Sequence, residues 1–161
     1  MIIKIGKIVN THGIKGEVRI ISNFEYIDRV FIKDFKLYIG ENKEALIINS
    51  YRHHKCFEMV TFKGLNDINE ALKYKGKNVF IDTADIKLND NEFIREELIG
   101  YNALVNDKII GQIADIMYNN NNDLFVIKGN KEVLIPINMH FIKNIDNDKK
   151  TIQFTNVEGI I

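Results

Sequence analysis

The feature that most constrains this chain is a succession of short segments in which apolar and polar residues alternate, separated by turn-forming residues. Alternation with a period of two is typical of strands, whose side chains point to opposite faces in turn. In the opening segment, Ile3, Ile5 and Val9 are expected on one face. Many short strands at near-regular spacing, with few helices, favour an all-β fold of barrels or sandwiches.

The same pattern predicts individual elements. One short helix is expected, capped by Asn66 or Asp67 and ended by Gly76. Besides the opening run, strands are predicted over Glu17–Ser22, Phe35–Ile39, Ala45–Tyr51, Phe57–Phe62, Asn78–Asp82, Leu98–Val105, Ile109–Tyr118, Leu124–Lys128, Glu132–Ile135 and Thr151–Thr155.

A polar, turn-forming segment, Leu88–Glu92, interrupts the strand pattern and is predicted to link two small domains, 1–88 and 89–161. The chain of 161 residues is long enough for two such domains. No apolar run reaches the roughly 18–20 residues that a membrane span needs. The single cysteine, Cys56, excludes an intrachain disulfide and fits a reducing cytoplasm.

The formal net charge is zero, but the charges are unevenly distributed. Residues 1–90 carry 15 Lys and Arg against 12 Asp and Glu, a net of +3, and residues 91–161 carry 7 against 10, a net of −3. A basic first half suits RNA and an acidic second half suits a basic protein, although chance produces splits of this size.

The segment from Thr11 to Arg19 contains Gly13 and Gly16, which allow a tight turn with positive φ. It lacks the Gly-Lys-Ser/Thr ending of a phosphate-binding P-loop. A dinucleotide-binding fingerprint is followed by a helix, and no helix is expected after this segment. It is therefore either a structural barrel corner or a corner that contacts phosphates. The candidate RNA contacts on it are His12, Lys15 and Arg19.

A second basic cluster, Arg52-His53-His54-Lys55, lies between two predicted strands. It is interpreted as a solvated loop, with RNA contact through Arg52 and Lys55 as the alternative. Neighbouring residues of a strand point to opposite faces, so His53 and His54 are poorly placed to share a metal ion. No residue in the sequence is placed to act as a base for Cys56, so a catalytic thiol is not predicted.

No catalytic motif is present, and the carboxylates are scattered without the spacing of an acid–base pair. These observations favour a binding protein that is not an enzyme and has no metal site. The apolar pair Phe93-Ile94 directly follows the linker, with Leu98 and Tyr101 beyond it. These four residues are expected either to pack the two domains together or to form a docking patch for a partner.

The chain resembles the RimM family of bacterial ribosome maturation factors, and the resemblance covers nearly its whole length. Five pieces in order carry it: Ile5–Val9 with Thr11–Gly13 and Gly16–Val18; Phe62–Leu65 with Lys75–Lys77; Asn91–Phe93 with Leu98–Gly100; Gly111–Asp115 with Asp123–Val126; and Leu134–Pro136 with Phe141-Ile142, Ile145-Asp146 and Gly159.

The resemblance implies two β-barrels in tandem, an N-terminal barrel like the second domain of translation elongation factors and a C-terminal PRC-type barrel. It implies a cytoplasmic, monomeric assembly factor that binds the head of the immature 30S subunit and assists late 16S rRNA maturation. It also implies contact with one head protein, the nineteenth of the small-subunit series, largely through the C-terminal domain, and it implies no catalytic activity and no cofactor.

One departure from the family concerns the segment after the linker, which in the family usually carries two adjacent tyrosines implicated in subunit binding. Here the positions are Phe93 and Ile94, so both hydroxyls and the second ring are missing. A rival interpretation is a PRC-barrel adaptor unrelated to ribosomes, which has no need of the Thr11–Arg19 corner.

Overall fold

A computed structural model describes all 161 residues of the chain. The chain divides into two compact units, Met1–Asn91 and Glu92–Ile161. Each unit is built around one six-stranded sheet. The prediction of an all-β protein with only short helical segments is confirmed.

The first unit is a closed barrel in the strand order β1-β2-β5-β4-β3-β6. All of its strand pairs are antiparallel. Three of its strands, β2, β5 and β6, have the predicted bounds. The six strands are β1 (Ile2–His12), β2 (Glu17–Ser22), β3 (Lys36–Ile39), β4 (Glu44–His54), β5 (Phe57–Phe62) and β6 (Asn78–Asp82).

Burial alternates as expected in β2, β3 and β6, and it departs from strict alternation in β1 and β5. Ile3, Ile5 and Ile8 are buried, and Val9 is only partly buried. The prediction that Val9 shares the face of Ile3 and Ile5 was therefore wrong. The pairing register of β1 shifts between Lys4 and Gly6 against β6, and a β-bulge of this kind reverses which residues face inward.

Gly6 allows β1 to approach β2 closely. A Cβ atom at this position would lie 2.4 Å from the carbonyl oxygen of Ile21, nearer than any side chain tolerates. Here glycine is needed because the backbone of the neighbouring strand occupies the space of a side chain.

The predicted helix is present but shorter than expected. It comprises α2 (Ile68–Ala71) and a 3-10 helix, Leu72–Tyr74. Asp67 is the N-cap, and its carboxylate accepts a hydrogen bond from the backbone N–H of Glu70 at 3.0 Å. The sequence did not predict α1 (Ile27–Val30) or the 3-10 helix Thr83–Asp85, because neither is long enough to show helical periodicity.

The second unit has the strand order β10-β9-β8-β7-β12-β11, with a parallel pair between β12 and β7. Only β9 has the predicted bounds. The strands are β7 (Asn102–Val105), β8 (Lys108–Met117), β9 (Leu124–Lys128), β10 (Glu132–Pro136), β11 (Ile142–Asp146) and β12 (Thr151–Phe154).

One strand prediction in this unit was wrong, and one strand was not predicted. The strand predicted over Leu98–Val105 begins only at Asn102, and Arg95–Leu98 is a 3-10 helix. No strand was predicted at Ile142–Asp146, where a shift in register between Ile142 and Asn144 breaks the alternation. The core of the unit lies on the inner face of the sheet and includes Phe125, Ile127 and Phe154.

Candidate nucleic-acid and partner surfaces

The predicted glycine corner is the four-residue turn between β1 and β2. Gly13 and Gly16 both have positive φ, of 73° and 85°. A Cβ at Gly16 would meet the carbonyl oxygens of Leu65 and Asp67 at 3.1 Å, whereas one at Gly13 would meet nothing within 4 Å. The backbone N–H of Ile68 donates to the carbonyl of Ile14 at 3.1 Å, so the turn is seated against the start of α2.

Two of the three candidate RNA contacts on this corner interact with each other. The Arg19 guanidinium lies 2.8 Å from Nδ1 of His12 and 5.4 Å from the centre of the Phe57 ring. The Nε–H of Arg19 is buried without a hydrogen-bond partner. Lys15 differs from both, because it is exposed in the turn itself. Arg19 is thus fixed within the barrel wall, and Lys15 is the accessible cation.

The second basic cluster is not a loop. Arg52, His53 and His54 belong to β4, and only Lys55 and Cys56 form the turn to β5. The prediction of a solvated loop was wrong for the first three residues, because the β4–β5 hairpin closes through two residues rather than the five between the predicted strands. Lys55 adopts φ 56° in this turn and is exposed.

Glu17 joins the two predicted basic clusters. Nε and Nη2 of Arg52 donate to its two carboxylate oxygens at 3.1 and 2.8 Å. These hydrogen bonds, more than the nearby charges of His12 and His54, lower the pKa of Glu17. A carboxylate held in this way satisfies much of the hydrogen-bonding capacity of Arg52. Arg52 is therefore less available to phosphate than Lys15 or Lys55.

A buried carboxylate that the sequence did not predict lies on β5, the strand between β2 and β4. Glu58 is only 2% exposed and accepts the Tyr51 hydroxyl at 2.7 Å, with Nδ1 of His53 at 2.8 Å. Burial and the Glu58 carboxylate raise the pKa of Tyr51 to about 12. A two-residue hairpin turn at Lys55-Cys56 would have placed His53 opposite Glu58, and this pairing was the available signal.

The predicted docking patch of the second unit is largely interior. Ile94 and Leu98 are each 2% exposed and Tyr101 is 8% exposed. Tyr101 donates its hydroxyl to Oδ1 of Asn147 at 2.9 Å, and its pKa is raised, mainly by burial. An exposed patch of all four residues is thus excluded, because three of them are buried. Phe93 is partly buried against the core of the second unit.

Two neighbouring large side chains of the second unit, one of them aromatic, are exposed at the end of β8. Met117 is 44% exposed and Tyr118 is 57% exposed. The Tyr118 hydroxyl donates to Oε1 of Glu96 at 2.9 Å, which holds the ring against the 3-10 helix at Arg95–Leu98. An exposed aromatic residue with a fixed orientation is typical of binding surfaces.

No group of three or more His, Cys, Asp or Glu residues is arranged to hold a metal ion. No helix is long and apolar enough to cross a membrane.

Comparison with known protein families gives matches over both units. The RimM N-terminal domain matches residues 3–86, and the RimM PRC barrel domain matches residues 95–160. The two kinds of domain expected from the resemblance are therefore confirmed.

Among known proteins, the ribosome maturation factor RimM of Staphylococcus haemolyticus is 40% identical over 166 residues, covering 100% of this chain and 99% of that protein. The RimM of an Exiguobacterium species is 38% identical over 163 residues, covering 98% and 95%. A crystal structure of RimM from Pseudomonas aeruginosa covers 96% of both chains with a TM-score of 0.48 and 22% identity.

Proposed function

Because this chain belongs to the RimM family, we propose that it is a ribosome maturation factor that binds the immature small subunit and assists late maturation of 16S rRNA. The observation that carries this proposal is the match of both family domains, in order, over residues 3–86 and 95–160. Relatives that match over nearly their whole length are named as ribosome maturation factors.

The factor acts by binding and has no catalytic step. It holds the head of the subunit in a state that can still fold, and it leaves when the mature structure forms. A protein that works in this way must bind the immature particle more tightly than the mature one, because only a difference in affinity shifts a conformational equilibrium. The protein is expected to be a cytoplasmic monomer.

The charges support a division of work between the two units. The second unit is net −3, which suits a basic ribosomal protein, here the nineteenth protein of the small subunit. Phe93, Met117 and Tyr118 are its candidate contacts, because their side chains are at least partly exposed. Opposite charges increase the association rate more than the final affinity.

The first unit is net +3 and is proposed to contact rRNA. Lys15 and Lys55 are the more accessible of the predicted contacts, since each is exposed in a hairpin turn. His12, Arg19 and Arg52 hold the surface between the turns through their mutual contacts and Glu17. Their proposed role is to shape this surface.

The test is sucrose-gradient fractionation of a lysate containing the tagged protein. We expect cosedimentation with free small subunits and their precursors, and not with assembled ribosomes or polysomes. Equal association with every ribosomal fraction, or with none, contradicts the proposal and favours the rival interpretation of a non-ribosomal PRC-barrel adaptor.

A further inference from the structure

An open groove lies on the first unit, and none of its lining residues belongs to the turns at Gly13–Gly16 or Lys55-Cys56. It has a volume of about 430 Å³ and is formed by the β3–β4 turn and the start of β6. Its lining includes Gly40, Lys43, Gly76, Lys77 and Phe80. This volume falls in the range of sites that take a small organic group.

The groove combines an aromatic ring with lysine ammonium groups. The Lys43 ammonium lies 3.9 Å from the centre of the Phe80 ring. The Lys77 ammonium lies 5.5 Å from the centre of the Tyr74 ring. Phe80 is partly exposed, so its ring is accessible from the groove. Neither lysine forms a salt bridge, in contrast to Arg52 in the candidate site above.

The cationic surface continues onto β1. The strand register places Lys4 opposite Phe80 and Lys7 opposite Asn78, so both lysines project from the outer face that carries the groove. Both are exposed. Two carboxylates also line the groove, Glu41 and Glu44, and Glu44 accepts the Tyr74 hydroxyl at 2.9 Å. The lining thus holds two lysines and two carboxylates, and the exposed Lys4 and Lys7 add positive charge on the neighbouring strand.

We propose that this groove binds an unpaired nucleotide of RNA, with the base against Phe80 and the adjacent phosphates on Lys43 and Lys77. An aromatic ring that stacks a base, beside cations that follow the backbone, is the arrangement by which proteins bind single-stranded RNA. The Lys43 stem is long and flexible, so its ammonium can turn from the ring to a phosphate when a base takes its place.

The ring distinguishes RNA from an acidic peptide as the ligand. Carboxylates need only the lysines, whereas the partly exposed Phe80 beneath Lys43 adds a stacking surface that a base uses and a carboxylate does not. The choice of RNA rests on the proposed function, and the groove adds a second contact to it, separate from Lys15 and Lys55.

The test uses the full chain, a fluorescent single-stranded RNA of about 12 nucleotides, and fluorescence anisotropy at several salt concentrations. Lys43→Gln with Lys77→Gln is expected to weaken binding about tenfold and to make the log–log salt slope shallower by about 1.4. Phe80→Leu is expected to weaken binding about tenfold at an unchanged slope, because it removes stacking and no charge.

The matched control is Lys33→Gln with Lys73→Gln, which removes two exposed lysines of the same unit outside the groove. It is expected to leave the affinity within about twofold of wild type. Circular dichroism establishes that each variant is folded. Equal losses in the groove and control variants overturn the inference, as does an absence of RNA binding by the wild type. Competition by poly-glutamate as strong as by RNA of equal charge also overturns it and identifies an acidic-peptide site.

The gradient experiment separates this inference from the proposed function. If the wild type cosediments with small subunits and the groove variants bind RNA normally, the groove inference fails and the proposed function stands. If the groove variants lose RNA affinity but the wild type sediments with no ribosomal fraction, the groove is an RNA site and the proposed function fails.

Discussion

The hydroxyl of Tyr51 donates a hydrogen bond of 2.7 Å to the carboxylate of Glu58. Glu58 is only 2% exposed to solvent. The two residues lie on adjacent strands, and His53 contacts the same carboxylate oxygen. A carboxylate withdrawn from water is stable only when hydrogen bonds replace its hydration. Tyr51 and His53 supply them, and the Tyr51 ring also stacks on the buried ring of Phe31.

Tyr51→Phe is expected to destabilise the protein by about 1–3 kcal/mol, because the mutation leaves a buried acceptor partly unsatisfied. Urea unfolding at neutral pH measures the change. Tyr38→Phe is a suitable control, because Tyr38 is a partly exposed tyrosine of the same barrel. Equal effects of the two mutations would show that the Glu58 contact adds nothing.

The raised pKa of Tyr51 predicts a loss of stability at high pH. The pKa is about 12 in the folded protein and 10 in the unfolded chain. The contribution of Tyr51 is therefore complete below pH 10 and is lost as pH rises from 10 towards 12. Wild type and Tyr51→Phe should converge in stability over this interval. A difference that stays constant would contradict the raised pKa.

The lowered pKa of Glu17 predicts the opposite dependence at low pH. Its contribution is present above the ordinary pKa of 4.5 and is lost as pH falls through the lower folded value. The stability difference between wild type and Glu17→Gln should therefore shrink below pH 4.5. In an Arg52→Ala background the difference should be small at every pH, because the main cause of the shift is absent. A difference that persists there would assign the effect to another group.

Gly16→Ala and Gly13→Ala form a matched pair at one turn. Both replace a glycine with positive φ, which costs about 1–2 kcal/mol for a residue with a Cβ. Only the Cβ at position 16 also meets backbone carbonyls at 3.1 Å. Gly16→Ala should therefore be more destabilising in urea unfolding. Equal effects would indicate that the segment at Leu65–Asp67 moves aside at no cost.

Mutations of the residues after the linker should either lower the stability of the protein or weaken its binding to the small subunit. Leu98→Ala should destabilise the protein by about 2–5 kcal/mol, because it leaves a cavity in the core of the second unit. Phe93→Ala should weaken small-subunit binding by more than about 1 kcal/mol while the protein remains folded, if Phe93 is a binding hot spot. Thermal unfolding and a subunit-binding titration measure the two effects. A folded Phe93→Ala variant that binds normally would remove this residue from the proposed interface.

The alternation of apolar residues was sufficient to predict an all-β chain and the bounds of β2, β5, β6 and β9. It was sufficient because a strand with one buried face must repeat every two residues. It failed at Val9 and Ile142, where β-bulges change that period within a strand. A bulge depends on the backbone of the partner strand, so a local pattern does not reveal it.

The candidate sites show the same limit. The basic and apolar side chains are visible in the sequence, but their roles depend on which strands become neighbours. Pairing of β2 and β4 with β5 brings Arg52 to Glu17, and pairing of β4 with β5 places His53 opposite Glu58.

The sequence by itself determined the fold class, the family and the charge of each half, because these follow from local periodicity, motif order and composition. Only the tertiary structure decided which cations remain accessible and which apolar residues become core, because exposure and ion pairing depend on contacts between residues distant in the chain.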